Sequence, residues 1–212
     1  MKLNDKFKTA GYVEVFVSKG KPLITKKDGK SFIDFSNAPL IEKIEGKNIV
    51  VNLAKDRLLD SLETGFMRII GRMAIGDRGT IPSDPTVPKV PTVDKTSLYN
   101  EVYRPDIDQI IKTKVPGTSL IPSEYKIQFT PTFAALDVPI SSMSNQTNPV
   151  VNEVALIMVD PIGGDPLPRG PVSAPGAHPA DEEMFAMRAF KSVPFDQANE
   201  LAITIRYTIS IE

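Results

Sequence analysis

Leu201-Ala202-Ile203-Thr204-Ile205-Arg206-Tyr207-Thr208-Ile209-Ser210-Ile211 decides the fold class. Large apolar side chains stand at every second position, with Ala202, Thr204, Arg206, Thr208 and Ser210 between them. That two-residue period belongs to a strand with one face in a core, and its length predicts that residues 201–211 are held in a sheet. Working back through the chain, Val150–Val159 is apolar apart from Asn152 and Glu153, which predicts a strand covered on both faces. Ile127, Phe129, Phe133 and Ala135 alternate with Lys126, Gln128, Thr130 and Thr132, and Pro131 marks an edge or bulged strand because it has no N–H to give a ladder. Met67, Ile69, Met73 and Ile75 fall on one strand face with Gly71 between them, and Arg68 and Arg72 fall on the other. Residues 12–17 and 31–35 are extended, with turn signals at Gly20 and Asp28-Gly29, and read as an N-terminal hairpin.

One helix is expected. After Asn48-Ile49-Val50-Val51-Asn52, Ala54, Leu58 and Leu62 recur at i, i+4, i+8, and Leu59 widens the stripe. Asn52 supplies an N-cap oxygen and Gly65 a stop. The elements together predict a mainly β chain: an antiparallel β-sandwich with one short-to-medium α-helix packed at an edge or end and two long Pro/Gly-rich loops, with an open barrel as the alternative. Residues 1–212 suffice for one such domain.

Composition narrows the function classes. Lys plus Arg is 25 against 26 for Asp plus Glu, and no block of one sign occurs, which disfavours nucleic acid as the main partner. Cysteine is absent, so disulfides, thiolate metal sites and cysteine nucleophiles are excluded together. Met1 leads into Lys2-Leu3-Asn4-Asp5-Lys6 without the apolar core of a signal peptide, and no run approaches the roughly 20 apolar residues of a membrane helix. The expectation is a soluble chain made in the cytoplasm, with no membrane partner.

Proline, at 19 residues, is concentrated in two places. Pro82, Pro85, Pro88 and Pro91 lie three apart, the repeat of polyproline II, and predict an extended strap over 80–92. From Asp160 to Pro179 ten of twenty residues are Pro or Gly, which rules out regular structure in a loop at 160–180 that either reaches a neighbouring subunit or is a plain surface insertion.

Catalytic groupings are thin. The single histidine, His178, sits in that loop with no nucleophile or orienting acid at a recognisable spacing, and reads as a solvent-facing side chain. Gly76-Asp77-Arg78-Gly79-Thr80 lacks the Gly-Lys-Ser/Thr ending of a phosphate loop and reads as a tight turn, with Gly76 or Gly79 at positive φ. Asp160, Asp165, Asp181, Glu182 and Glu183 have no calcium-loop spacing and read as a solvated acidic patch, and Asn145-Gln146-Thr147 reads as a polar loop. Arg68, Arg72, Arg206 and Glu153 place charges within strands, where burial demands a partner in the sheet or across a subunit boundary unless the row faces solvent. No catalytic, metal or cofactor residue is assigned.

Residues 69–104 have a further reading. A strand ending at Gly76-Asp77-Arg78-Gly79-Thr80, the proline-spaced segment, and Thr96-Ser97-Leu98-Tyr99-Asn100-Glu101-Val102-Tyr103-Arg104 resemble a signature of phage tail-collar proteins. In that family an Ile-Gly-Asp-Gly strand precedes a variable loop and a Thr-x-Leu-x-Asn-Glu-Val-Tyr-Arg box. In the same order, Asn48-Ile49-Val50-Val51-Asn52, Val151-Asn152-Glu153-Val154-Ala155-Leu156, 184–190 and 201–211 are similar to other boxes of the family, with Ala155 for glycine and Tyr207 for tryptophan. The resemblance implies a non-enzymatic virion subunit in a collar or neck ring, or a tail or baseplate fibre-attachment adaptor. It implies copies of the chain itself and other neck or tail proteins as partners. Pro82, Pro85, Pro88, Pro91, Glu101, Arg104, Pro168 and Arg169 are then the candidate interface residues. A carbohydrate- or receptor-binding β-sandwich is the alternative, and a hydrolase with 160–180 as a lid a third.

Overall fold

The computed structural model describes residues 9–27, 30–64, 68–105, 107–117, 123–159, 182–195, 197–198 and 200–211. Its strands are, in chain order, β1 (Thr9–Lys19), β2 (Leu23–Lys27), β3 (Lys30–Asp34), β4 (Leu40–Lys47), β5 (Ile49–Val50), β6 (Ile69–Gly76), β7 (Thr80–Ile81) and β8 (Asp84–Pro88). They continue with β9 (Glu101–Tyr103), β10 (Gln109–Val115), β11 (Glu124–Thr130), β12 (Thr132–Ala134), β13 (Val150–Val159), β14 (Glu183–Pro194) and β15 (Leu201–Ile211), and among the described residues one α-helix, α1 (Asn52–Thr64), follows β5.

Two antiparallel sheets form a sandwich. The larger has the order β10-β11-β15-β1-β4, with β12 also on β15, and the smaller has the order β5-β14-β13-β6-β9. Alternation drives the packing. Val13, Val15 and Val17 of β1 and Ile203, Ile205, Tyr207 and Ile209 of β15 face Met73, Ile75, Val154, Leu156 and Phe190 of the smaller sheet in one buried cluster. Each such side chain contributes about 1.5–3 kcal/mol when fully buried. Tyr207 is fully buried, so its hydroxyl needs a partner, and it accepts from Asn48 Nδ2 at 2.6 Å. A Cβ at Gly11 would lie 1.7 Å from Asn48 Oδ1, so the glycine leaves room for that bond.

β13 is covered on both faces, as its apolar run requires. Val154 and Leu156 enter the inter-sheet core, while Ala155 and Ile157 join Val51, Ala54, Ala74, Met184 and Met187 in a second cluster on the other side. The helix therefore packs on the outer face of the smaller sheet, where an edge or end was expected. Of the expected stripe Ala54 is buried, the side chains of Leu58 and Leu62 lie outside the described residues, and Leu59 is 64% exposed. Five residues beyond Ala54 it is rotated by about 140° at 3.6 residues per turn, which turns it to water. Asn52 opens the helix, with its side chain donating to Asp94 and accepting from Lys55.

Three other expectations change. Residues 12–17 are not one arm of a hairpin with 31–35: β1 pairs with β15 and β4, and β3 pairs with the short β2. An eleven-residue strand with a valine face gains more from the central sheet than from a polar five-residue ribbon. Ile69 does not share the face of Met73 and Ile75, because Ile157 opposes Arg72 while Met158 opposes Ile70, and the extra residue, Gly71, forms a bulge that resets the alternation. Pro131 splits β11 from β12 without a change of register on β15. Its carbonyl accepts from Ile205 N, and its nitrogen has no hydrogen to return.

Candidate functional site

The segment that carries the family resemblance closes on one buried carboxylate. Glu153 sits in the middle of β13, fully buried, and accepts three backbone N–H groups: Arg78 at 3.2 Å and Asn100 at 2.9 Å on Oε1, and Tyr99 at 2.8 Å on Oε2. A buried charge was expected to find a cation. Here backbone donors from both ends of the strap take that place, a form of pairing with no signature at the sequence positions that supply it. Beside it Asn152 accepts from Gly79 N at 2.6 Å and donates to Asp77 O, Thr80 Oγ1 and Ser192 Oγ. Asp77 accepts from Asn100 Nδ2 at 2.7 Å and from the Ser144 hydroxyl at 2.9 Å.

These contacts explain the glycines differently from the sequence reading. Neither Gly76 nor Gly79 is at positive φ; that conformation belongs to Gly20 and Gly46 among the described glycines. Space is the constraint. A Cβ on Gly76 would lie 2.3 Å from Asn100 O, and one on Gly79 would lie 2.3 Å from Asn152 O, backbone atoms that cannot swing aside. Gly79→Ala is expected to lower stability by about 1–3 kcal/mol, the usual cost of overpacking. Urea unfolding measures it, and an unchanged midpoint would show that the turn can yield.

Pro82 and Ser83 turn the chain so that β7 and β8 form a two-stranded ribbon, and Lys89 N returns to Gly79 O at 2.7 Å. The strap is thus a folded-back ribbon followed by an extended run, where an uninterrupted polyproline arm was expected; the ladder bonds at Thr80 and Ile81 outcompete it. Val93 O accepts from Asn52 N at 2.7 Å, which ties the far end to the helix. Pro82, Pro85 and Pro88 are exposed, Pro91 is half-buried, and Val90 is 84% exposed. The ammonium groups of Lys89 and Lys95 lie over the Tyr99 ring, at 4.3 and 4.2 Å from its centroid.

Glu101 and Arg104 bond to each other, Nε to Oε1 at 2.6 Å, at the edge of the smaller sheet. Arg104 also pairs with Glu182, which meets Arg72 at 2.9 Å, and the next residue, Glu183, pairs with Arg57 at 2.7 Å and Arg68 at 2.6 Å. The strand charges Arg68 and Arg72 thus find their partners within the chain. Arg206 does the same, on the outer face of the larger sheet, with Glu14 at 3.0 Å and Ser31 O at 3.1 Å. The Arg57 contact, with Arg68 behind it, holds Glu183 below the usual carboxylate range.

His178, Pro168, Arg169, Asp160, Asp165, Asp181 and the loop at 160–180 lie outside the described residues. Among the described residues no three His, Cys, Asp or Glu side chains are grouped to hold a metal, and no helix is long and apolar enough to cross a membrane. Comparison with family models, with curated proteins and with solved structures finds no match to the chain.

Proposed function

We propose that the chain is a non-enzymatic structural subunit of a bacteriophage virion, a collar or neck component or a tail or baseplate fibre-attachment adaptor, that acts through oligomeric assembly. The observation that carries the proposal is that three of the boxes on which the tail-collar resemblance rests meet at Glu153. The turn at 76–80, the box at 96–104 and the strand at 151–156 are joined by its three amide bonds. Strings so far apart in sequence have a common reason to occur together when one fold needs them all, and a fold-level likeness is an associational warrant for function.

A strap tied at both ends to a rigid sandwich suits assembly. Its proline-rich outer side exposes Val87 and Val90, and an already ordered segment loses little entropy on docking. The partners on this reading are further copies of the chain and neighbouring neck or tail proteins, with no cofactor and no turnover. Native mass spectrometry and electron microscopy of the purified chain, alone and mixed with purified phage neck and tail proteins, test it. A closed oligomer or a defined complex is expected, weakened by Val87→Asp with Val90→Asp. A monomer that binds none of them would overturn the proposal.

A further inference from the structure

Arg57, Arg68, Arg72, Arg104 and Arg206 all pair with carboxylates. Arg188, half-buried on β14, pairs with none among the described residues. Its two terminal nitrogens donate instead to main-chain oxygens, one to Lys47 O and the other to Glu45 O at 3.2 Å. Burial pulls Arg188 below the ordinary arginine value, and the hydroxyls of Tyr207 and Tyr12 oppose that shift. A cation held there without a counter-charge serves through its donors.

The oxygens it takes belong to the border of the larger sheet. β4 ends the strand order, with β1 on one side and, among the described residues, no strand on the other. In an antiparallel ladder alternate residues turn their N–H and C=O groups toward the neighbour and away from it. The bonds from Arg188 show that Glu45 and Lys47, and by the same period Lys43, are turned away from β1. Gly46 leaves room for the approach, since a Cβ there would lie between 2.3 and 2.6 Å from three guanidinium atoms. On β14, Arg188 stands opposite Val154 and shares its side of the strand with the core residues Ala186 and Phe190, so it crosses the open side of the sandwich to reach β4. Lys191, three residues on, makes a second crossing to Glu42.

The sequence of this border is self-complementary. Two β4 strands paired antiparallel about Ile44 would set Lys43 of each against Glu45 of the other, giving two opposite-charge pairs between residues whose main-chain groups already face outward. In that pairing Glu45 O would accept from Lys43 N of the copy, and Lys47 O would take the next donor along. An open edge with such a pattern is a template for a second chain. We propose that Arg188 closes it: the guanidinium stands in for the N–H groups of a second copy's strand on Glu45 O and Lys47 O, and so keeps the larger sheet from extending β4 to β4. This border takes no part in the docking assigned to the strap, so its closure stands apart from the virion reading.

Arg188→Met keeps the apolar stem and removes the donors, and Arg188→Lys leaves one ammonium that cannot serve both oxygens as the guanidinium does. Sedimentation velocity of the full chain reads mass, and amide hydrogen exchange locates the contact. Arg188→Met is expected to associate further than the wild type at equal concentration, with exchange at Lys43 and Glu45 slowing as the protein is concentrated. Arg188→Lys is expected to do the same more weakly. Adding Glu45→Lys to Arg188→Met sets lysine against lysine in both cross pairs, and should weaken that association roughly tenfold. Adding Val87→Asp with Val90→Asp to Arg188→Met should leave the slowed exchange at Lys43 and Glu45 in place, which separates this edge from the strap. A folded Arg188→Met variant with the wild-type mass and unchanged exchange at Lys43 and Glu45 would overturn the proposal, as would association that Glu45→Lys leaves unaltered. If Arg188→Met does not fold, the same readouts on Arg188→Lys decide.

Discussion

Glu153→Ala is expected to lower the unfolding free energy by about 3–5 kcal/mol. Each buried donor left without an acceptor costs about 1–3 kcal/mol, and this substitution orphans the amides of Arg78, Tyr99 and Asn100 together while opening a cavity in β13. Those amides sit at both ends of the strap, so hydrogen exchange should accelerate first across 78–100. Glu153→Gln keeps the oxygen that serves Arg78 and Asn100 but turns an NH₂ toward Tyr99 N–H, for an expected loss of about 1–3 kcal/mol. Urea unfolding checks both values; a loss below about 1 kcal/mol for the alanine variant would show that the turn finds other acceptors.

The same carboxyl gives a pH signature. Burial pushes Glu153 above the ordinary carboxylate range; the three amides oppose that shift, and the charge of Asp77 adds to it. A raised value means the folded chain holds the proton more tightly than the unfolded one. The stability this gives is complete below the unfolded value, about 4.5, and is lost as pH rises through the higher folded value. Glutamine does not titrate, so wild-type stability minus that of Glu153→Gln should fall as pH rises from 4 to 8. Glu183 titrates with the opposite sign and cancels in that difference. A flat difference would show that the carboxyl titrates in the fold as it does in the unfolded chain.

Arg104→Ala is expected to cost about 3–5 kcal/mol, the loss seen when one partner is removed from a buried ion cluster. The Arg104 side chain is 4% exposed and Glu182 5%, so truncation leaves Glu182 with Arg72 alone and Glu101 with no cation at the position Arg104 held. Removing the buried acid that loses one of its two arginines should restore part of the loss: Arg104→Ala/Glu182→Ala is expected to be more stable than Arg104→Ala alone. Equal midpoints for the single and double variants in urea would mean that Arg72 alone satisfies Glu182.

What could be read in advance follows the range of the interaction. The alternation in β15 and the double burial of β13 depend on a residue and its immediate neighbours, and each was visible in the string. Glu101 and Arg104 stand three apart, so their pairing was within reach as well. The partner of β1 was not, since a two-residue period says that a strand has an inner face and nothing about which strand lies beside it. Gly71 could have been a strand glycine or a bulge until Arg72 and Ile70 were set against β13. The role of Glu153 was hidden for a different reason: its partners are backbone amides, which every residue carries, brought together from 78 and from 99–100. Gly76 and Gly79 were conspicuous in the sequence, but a glycine chosen for room and one chosen for φ look the same until the neighbouring backbone is in place.

The pairing of β1 with β15 sets the order in which the molecule can be completed. Glu14 and Arg206 are 192 residues apart, and β15 is the strand that joins β11 and β12 to β1. The two halves of the larger sheet, β1 with β4 and β10 with β11, therefore cannot be joined until residues 201–211 have been made. Contacts of such long sequence separation slow folding toward the millisecond-to-second range of all-β domains. Until then the edges of β1 and β11 that pair with β15 are open, and unpaired strand edges make partly folded chains prone to association.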